Sequence, residues 1–150
     1  MADSRAAARA VPRGLPRNRH DLVALLHPDL LLNLTLRDLQ TTLKQRGAPW
    51  ERAKGFDGAA PLGDFQPYLE QDLQDLHFTC HVNGTLRQHG HTRDMLFSVA
   101  RQIHILSQLW ALEPGDVLYT GTPAGVGPLV PGDDVVLEGA GLGLHRWHCT

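Results

Sequence analysis

The most regular stretch of the chain alternates. Leu76, Phe78, Cys80 and Val82 are separated by His77, Thr79 and His81, a period of two that predicts a strand with one apolar and one polar face. Asn83-Gly84 follows. Both central residues of a type I′ turn need positive φ, so the chain is expected to reverse there and return as a second strand over residues 85–89. Two other stretches follow a helical period. Leu36, Leu39 and Leu43 recur at steps of three and four, predicting a helix over residues 35–47 that Gly47 stops. Val99, Ile103, Leu106 and Trp110 step by four, three and four behind Ser98, whose hydroxyl can cap the first turn.

Residues 50–67 lose this regularity and collect Gly55, Gly58, Pro61, Gly63 and Pro67. An irregular segment of that length in a compact domain is usually either functional or disordered. Further on, Pro114-Gly115-Asp116 and Pro131-Gly132-Asp133 repeat one device, with Pro setting φ and Gly supplying the positive φ that follows. Each is expected to launch a strand, over residues 116–120 and 134–138, and Gly141-Leu142-Gly143 to turn into a last strand over 144–149. Strand-rich content with two helices is an α+β pattern rather than a regular βαβ alternation.

Composition narrows the class. The chain has 150 residues, the length of one ordinary domain, and 42% hydrophobic content suffices for a core. Its net charge of −2, with 20% charged residues, gives no field to attract nucleic acid or an anionic membrane, so a soluble protein acting on a small molecule is expected. Cys80 and Cys149 fit no metal or redox spacing and point to a reducing compartment, the cytoplasm. The longest apolar run, residues 22–32, is interrupted by His27, Pro28 and Asp29 and falls short of the roughly 20 residues that span a bilayer. Residues 1–20 are rich in Arg and Ala and poor in acids, in the manner of a mitochondrial presequence, but Pro12 and Pro16 break an amphipathic helix there. Residues 1–30 read as an atypical leader, disordered or non-native, ahead of a domain spanning residues 31–150.

Three constellations could carry chemistry. Gly121-Thr122-Pro123-Ala124-Gly125-Val126-Gly127-Pro128 follows an expected strand directly. Its glycines let backbone N–H groups approach an anion and the Thr122 hydroxyl adds a donor, so a carboxylate-binding loop and a plain turn are both open. No helix follows it, which excludes a dinucleotide fingerprint. His77, Cys80, His81, His89 and His91 crowd the hairpin and suggest zinc. Yet His77 and His81 point to one face and Cys80 to the other, whereas tetrahedral zinc needs converging ligands, so a solvated strand face is the expectation. Lys54, in the Gly-rich segment, and Arg37-Asp38, on the first helix, have ordinary surface readings when taken alone.

Their order changes that. Thr35-Leu36-Arg37-Asp38-Leu39-Gln40, Ala53-Lys54-Gly55-Phe56-Asp57 and Pro61-Leu62-Gly63 come first. Val82-Asn83-Gly84, Arg87-Gln88, Thr92, Met95-Leu96-Phe97-Ser98-Val99, Leu112-Glu113-Pro114-Gly115-Asp116 and the Gly-Thr-Pro loop then follow in sequence. Over roughly residues 31–148 this series resembles the fumarylacetoacetate hydrolase family, its acylpyruvase and fumarylpyruvate hydrolase branch in particular. The resemblance implies a mixed β-roll, present here as an incomplete C-terminal portion, in a protein that is usually a homodimer. It also implies Mg²⁺ or Mn²⁺ and a small keto-acid substrate, with hydrolysis of a C–C bond, decarboxylation or isomerisation of β-diketo or acylpyruvate-type acids of the kind met in aromatic catabolism. By the same resemblance Lys54 would stabilise developing negative charge, Arg37 and Gln40 would orient the substrate, and Gly121 and Thr122 would hold its carboxylate.

The metal side departs from the family's pattern. Two metal-binding glutamates belong well upstream of the Arg-Asp motif, and no Glu occurs here before Glu51. The third ligand position, four residues before Arg37, is Asn33, a degenerate ligand. The family's water-activating His–Glu pair is also an upstream feature, with His20 and Asp21 the nearest counterpart here. Two outcomes are therefore expected. One is a metal-dependent enzyme with a substitute metal site. The other is an inactive, N-terminally truncated member that at most binds a small molecule or dimerises.

Overall fold

The structure, a computed structural model, describes residues 30, 32–63, 72–113 and 115–150. The leader reading for residues 1–30 falls outside these residues except at Leu30, as do His20, Asp21, Pro67 and Pro114. The chain divides into two compact units, Leu31–Gly63 and a larger one that includes Asp64–Thr150. No helix among the described residues is long and apolar enough to cross a membrane.

The larger unit is built on an antiparallel sheet of β1 (His77–Val82), β2 (Thr85–His91), β3 (Asp134–Gly139) and β4 (Gly143–His148), in the order β2-β1-β3-β4. This sheet, with two α-helices among the described residues, is the α+β arrangement expected. The β1–β2 turn takes the anticipated form, with Asn83 at φ 51° and Gly84 at φ 76°. Asn83 also ties that turn to the third strand. Its Nδ2 donates to Asp133 Oδ1 at 2.8 Å and its Oδ1 accepts from the Asp134 amide at 2.9 Å.

The period-two pattern of β1 becomes a two-faced sheet. Cys80 pairs with Leu137 and Val82 with Val135 on the inner face, where Leu76, Leu142 and His145 are also buried. Val135 is the largest fully buried side chain among the described residues. Burial pushes the Cys80 thiol up from its ordinary value, as for an inert core cysteine. The outer face carries His77, Thr79 and His81 of β1, and Thr79 Oγ1 reaches Glu138 Oε1 of β3 at 3.4 Å. Between Cys80 and His81 the register with β2 slips: Cys80 pairs with Gln88 and His81 with Leu86, which leaves Arg87 as the extra residue of a bulge.

Helix α2 (Val99–Leu109) begins as its sequence suggests, with Ser98 Oγ accepting from the Arg101 amide at 3.2 Å. The expected strand over residues 116–120 does not form. A turn closes ahead of it, from the Asp116 amide to Glu113 O at 3.1 Å, and the chain then runs on without ladder pairing. A strand needs a second backbone to satisfy its N–H and C=O groups, and among the described residues none pairs with this segment. The Tyr119 hydroxyl is likewise buried without a hydrogen-bond partner among them.

Asp133 links this architecture to pH. The Val130 amide donates to Oδ2 at 2.8 Å and Asn83 to Oδ1, and these bonds, the backbone one foremost, hold its carboxyl below the ordinary value. A folded-state pKa that is depressed gives stability above the unfolded carboxyl value, about 3.9, and loses it as pH falls through the folded value. Urea melts taken from neutral pH into that acid window should show the wild type losing more stability than Asp133→Asn. Parallel losses would remove Asp133 from the acid response.

In the smaller unit, helix α1 (Arg37–Gln45) starts two residues later than its pattern suggested, because Leu36 is extended (ψ 85°) and no side chain caps it. Residues 50–63 are ordered by backbone bonds. The Leu32 amide donates to Pro61 O at 3.3 Å, Leu34 to Ala59 O at 2.8 Å and Leu36 to Ala53 O at 3.0 Å. Ala53, in a short 3₁₀ turn (Glu51–Ala53), and Ala59 are buried under these rungs.

Candidate functional site

Those rungs position the first group of candidates. The Leu34 and Leu36 bonds lay residues 32–36 along the Gly-rich segment, and Lys54 comes against Asn33, its Nζ donating to Asn33 Oδ1 at 3.0 Å. The Leu36–Ala53 rung sits one residue from both Arg37 and Lys54. Arg37 opens α1 and donates from Nη1 to Gln40 Oε1 at 3.1 Å, a spacing of three that puts both on one helix face. Gln40 is the buried residue of α1, which fixes its amide as the support for an exposed guanidinium. Each cation is thus oriented by a neutral amide oxygen. A carboxylate partner would have cancelled the charge; an amide leaves it available to an anion.

The same contact decides how Asn33 relates to a hard cation. Mg²⁺ or Mn²⁺ calls for several oxygen ligands, carboxylates foremost. Asn33 offers one amide oxygen, and that oxygen already accepts from an ammonium group. The cluster of His and carboxylate ligand atoms found among the described residues is Asp75, His77 and His91, in the other unit. The described residues around Asn33 therefore do not fit a hard-cation site.

The second group lies in the larger unit. Gln88 faces inward opposite Cys80, and its Nε2 donates to Thr122 Oγ1 at 3.1 Å, Pro123 O at 3.1 Å and Ala124 O at 3.4 Å. Because Thr122 Oγ1 accepts here, its own O–H proton remains to be donated, which suits a carboxylate. The loop needs glycine where it meets the bulge. Gly125 has φ +95°, and a Cβ there would lie 1.9 Å from Arg87 O. A Cβ on Gly127 would lie 3.0 Å from Arg87 Nη1, so a guanidinium borders the loop. Gly121 and Thr122, expected on residue type, sit in this loop, and both are exposed. Sequence reasoning gave Arg87 and Gln88 no role of their own. The available signal was a long polar side chain at an inward strand position.

On the outer face the objection to a Cys–His zinc site holds, since Cys80 is buried on the opposite side from His77. His77 and His91, however, are brought together across β1 and β2, their ring centroids 3.8 Å apart. A hydrogen bond from His91 and the charge of Arg93 hold the Asp75 carboxyl beside them below its ordinary value.

Comparison with known proteins shows what the chain is similar to. Residues 28–148 match the family described as fumarylacetoacetate (FAA) hydrolase C-terminal. Oxaloacetate tautomerase YcgM of Escherichia coli is 44% identical over 115 residues, covering 75% of this chain and 52% of that protein. The mitochondrial oxaloacetate tautomerase FAHD1 of Homo sapiens is 41% identical over 107 residues, covering 71% of this chain and 48% of that one. Among solved structures, fumarylpyruvate hydrolase from Pseudomonas aeruginosa, in complex with Mn²⁺ and pyruvate, superposes with a TM-score of 0.75 at 34% identity, over 80% of this chain and 52% of that one. The chain spans about half the length of the curated relatives it matches.

Proposed function

The chain belongs to the fumarylacetoacetate hydrolase family and has the strand-rich fold of its C-terminal domain, and from that premise we propose that it acts on small 2-oxo or β-keto carboxylic acids as a hydrolase, decarboxylase or isomerase. Acylpyruvate-type acids are the substrate class. The observation that carries this reading is the pair of cations that, among the described residues, are held by amides rather than carboxylates, Lys54 by Asn33 and Arg37 by Gln40. Oxaloacetate and fumarylpyruvate, the compounds in the relatives' names, are anions with a carbonyl beside a carboxylate.

Hydrolytic cleavage, decarboxylation and tautomerisation of such acids share one feature. Electrons left at the carbon next to a carbonyl are delocalised onto oxygen as an enolate. Lys54, fixed in direction by Asn33, provides an ammonium that favours this developing charge over the neutral carbonyl. Arg37, braced by Gln40, directs its remaining N–H donors at a carboxylate and limits the substrate's orientations. In the larger unit, Gln88 holds Thr122 with its proton free to donate to the same kind of group. No step is assigned to Mg²⁺ or Mn²⁺, which the described residues around Asn33 do not fit.

A second reading is a small-molecule-binding or dimerising protein without catalysis, favoured by the engagement of Asn33 with Lys54. Titrating the purified chain calorimetrically with Mn²⁺ and with Mg²⁺ while following acetylpyruvate hydrolysis and oxaloacetate turnover separates the two. Turnover supports the enzyme. No turnover and no saturable uptake of either ion up to millimolar concentration would leave the second reading. We further propose a homodimer in the cytoplasm. Helix α2 buries none of its residues, Leu96, Phe97, Leu109 and Trp110 are exposed, and Cys80 and Cys149 are free thiols. Sedimentation should give twice the monomer mass, and a well-behaved monomer would count against the dimer.

A further inference from the structure

The polar face of the hairpin carries a group that the reaction above does not use. β1–β2 pairing sets His77 directly opposite His91, and their rings stack with centroids 3.8 Å apart at 22°. Asp75 stands two residues ahead of His77 in the chain, and its Oδ1 is 2.8 Å from His91 Nε2 and 2.7 Å from Arg93 Nη2. The potential ligand atoms of Asp75, His77 and His91 all lie within 4.8 Å of one another. The backbone holds them there. The Leu76 amide donates to Thr92 Oγ1 at 2.9 Å and the Thr92 amide donates to Leu76 O at 2.9 Å. This reciprocal pair fixes Asp75 and His77, which flank Leu76, against His91 and Arg93, which flank Thr92. Beside them a depression of about 380 Å³ is lined by His77, Thr79, His89 and Glu138 among others, and the His89 ring is 6.2 Å from that of His77.

We propose that Asp75, His77 and His91 form a binding site for a late first-row divalent cation, Zn²⁺ being the best match. Two imidazole nitrogens and one carboxylate oxygen are a three-ligand set that leaves a fourth tetrahedral position for water or a ligand from the adjoining depression. Imidazole selects zinc-class ions, whereas Mg²⁺ prefers oxygen alone, so the site discriminates against the hard cations associated with this family. It stands independently of the enzymatic reading. Binding replaces a hydrogen bond with a coordinate bond. The proton between His91 Nε2 and Asp75 Oδ1 leaves that position, and His91 binds as neutral imidazole with its proton on Nδ1. Arg93 keeps the carboxylate oriented, which has acceptor sites to spare on its two oxygens. The ion would staple the segment before β1 to β2, an edge strand of the sheet. Zinc should then protect the folded state by mass action.

Calorimetric titration of the chelator-stripped chain with Zn²⁺, in excess Mg²⁺, tests this. One saturable site per chain and a Tm that rises with Zn²⁺ are expected, and Co²⁺ should give the intense visible bands of four-coordination. Losing even an outer partner of a metal ligand costs about 10–100-fold in affinity, so His77→Ala, His91→Ala and Asp75→Asn should each weaken the site at least tenfold. His148→Ala, whose imidazole pairs with Asp134 at 2.8 Å, should leave it unchanged. Ring-nitrogen NMR of the wild type gives a reading free of any folding defect in the variants, with zinc expected to shift His77 and His91. No saturable site, full-strength binding by folded His77→Ala/His91→Ala, or shifts confined to His81, His104 or His148 would each overturn the proposal.

Discussion

Lys54→Met should lower turnover of the 2-oxo acid about 100- to 1,000-fold, the range seen when one preorganised donor to a developing oxyanion is removed. The fall should appear equally in kcat and kcat/KM, with KM within a few-fold, because an ammonium aimed at an enolate acts mainly on the transition state. Stability should change little. Lys54 is half-buried, its head group hydrogen-bonds Asn33, and methionine keeps most of the stem that lies along the protein. Steady-state kinetics beside urea melts separate the two quantities. An unchanged kcat in a folded variant would take Lys54 out of the mechanism.

What the sequence revealed follows the range of the interactions involved. The hairpin and the start of α2 rest on local rules, positive φ at Asn83-Gly84 and a Ser98 cap three residues before the Arg101 amide, and both formed as read. Residues 116–120 had an equally plausible local pattern but lack a ladder partner among the described residues, and alternation says nothing about whether a partner arrives. The candidate site divides the same way. Arg37 and Gln40 are three residues apart and their contact is inherent in a helix. Lys54 and Asn33 are 21 residues apart, and resemblance gave them separate roles that the structure joins into one contact. Gln88 belongs to a motif of the series but its role is not legible there, because its partners lie 34 to 36 residues away and a bulge at Arg87 alters the strand's parity. The histidines show the limit of a face argument. It correctly set Cys80 apart, but it did not register that His77 would face His91 with Asp75 beside them.

Gly125→Ala should be the most damaging single substitution in the Gly-Thr-Pro loop, and the reason can be isolated experimentally. Gly125 and Gly132 have nearly the same φ, +95° and +96°, so the positive-φ penalty of alanine is similar at either place, about 1 kcal/mol or somewhat more. Their surroundings differ. Nothing lies within 4 Å of a Cβ on Gly132, whereas one on Gly125 would meet Arg87 O at 1.9 Å. That oxygen is backbone in β2 and cannot yield without disturbing the β1–β2 ladder, so the loop must move instead. Moving it breaks the bonds that the two Nε2 protons of Gln88 share among Thr122, Pro123 and Ala124, at about 1 kcal/mol per proton where the geometry is good. Gly125→Ala is therefore expected to cost about 3 kcal/mol or more in urea unfolding and to raise KM for the keto acid as Thr122 loses its position. Gly132→Ala should cost only the backbone share and leave KM alone. Equal losses of stability in the two variants would mean that the close approach to β2 contributes nothing. A Gly125→Ala protein with normal KM would mean that Thr122 does not hold the substrate.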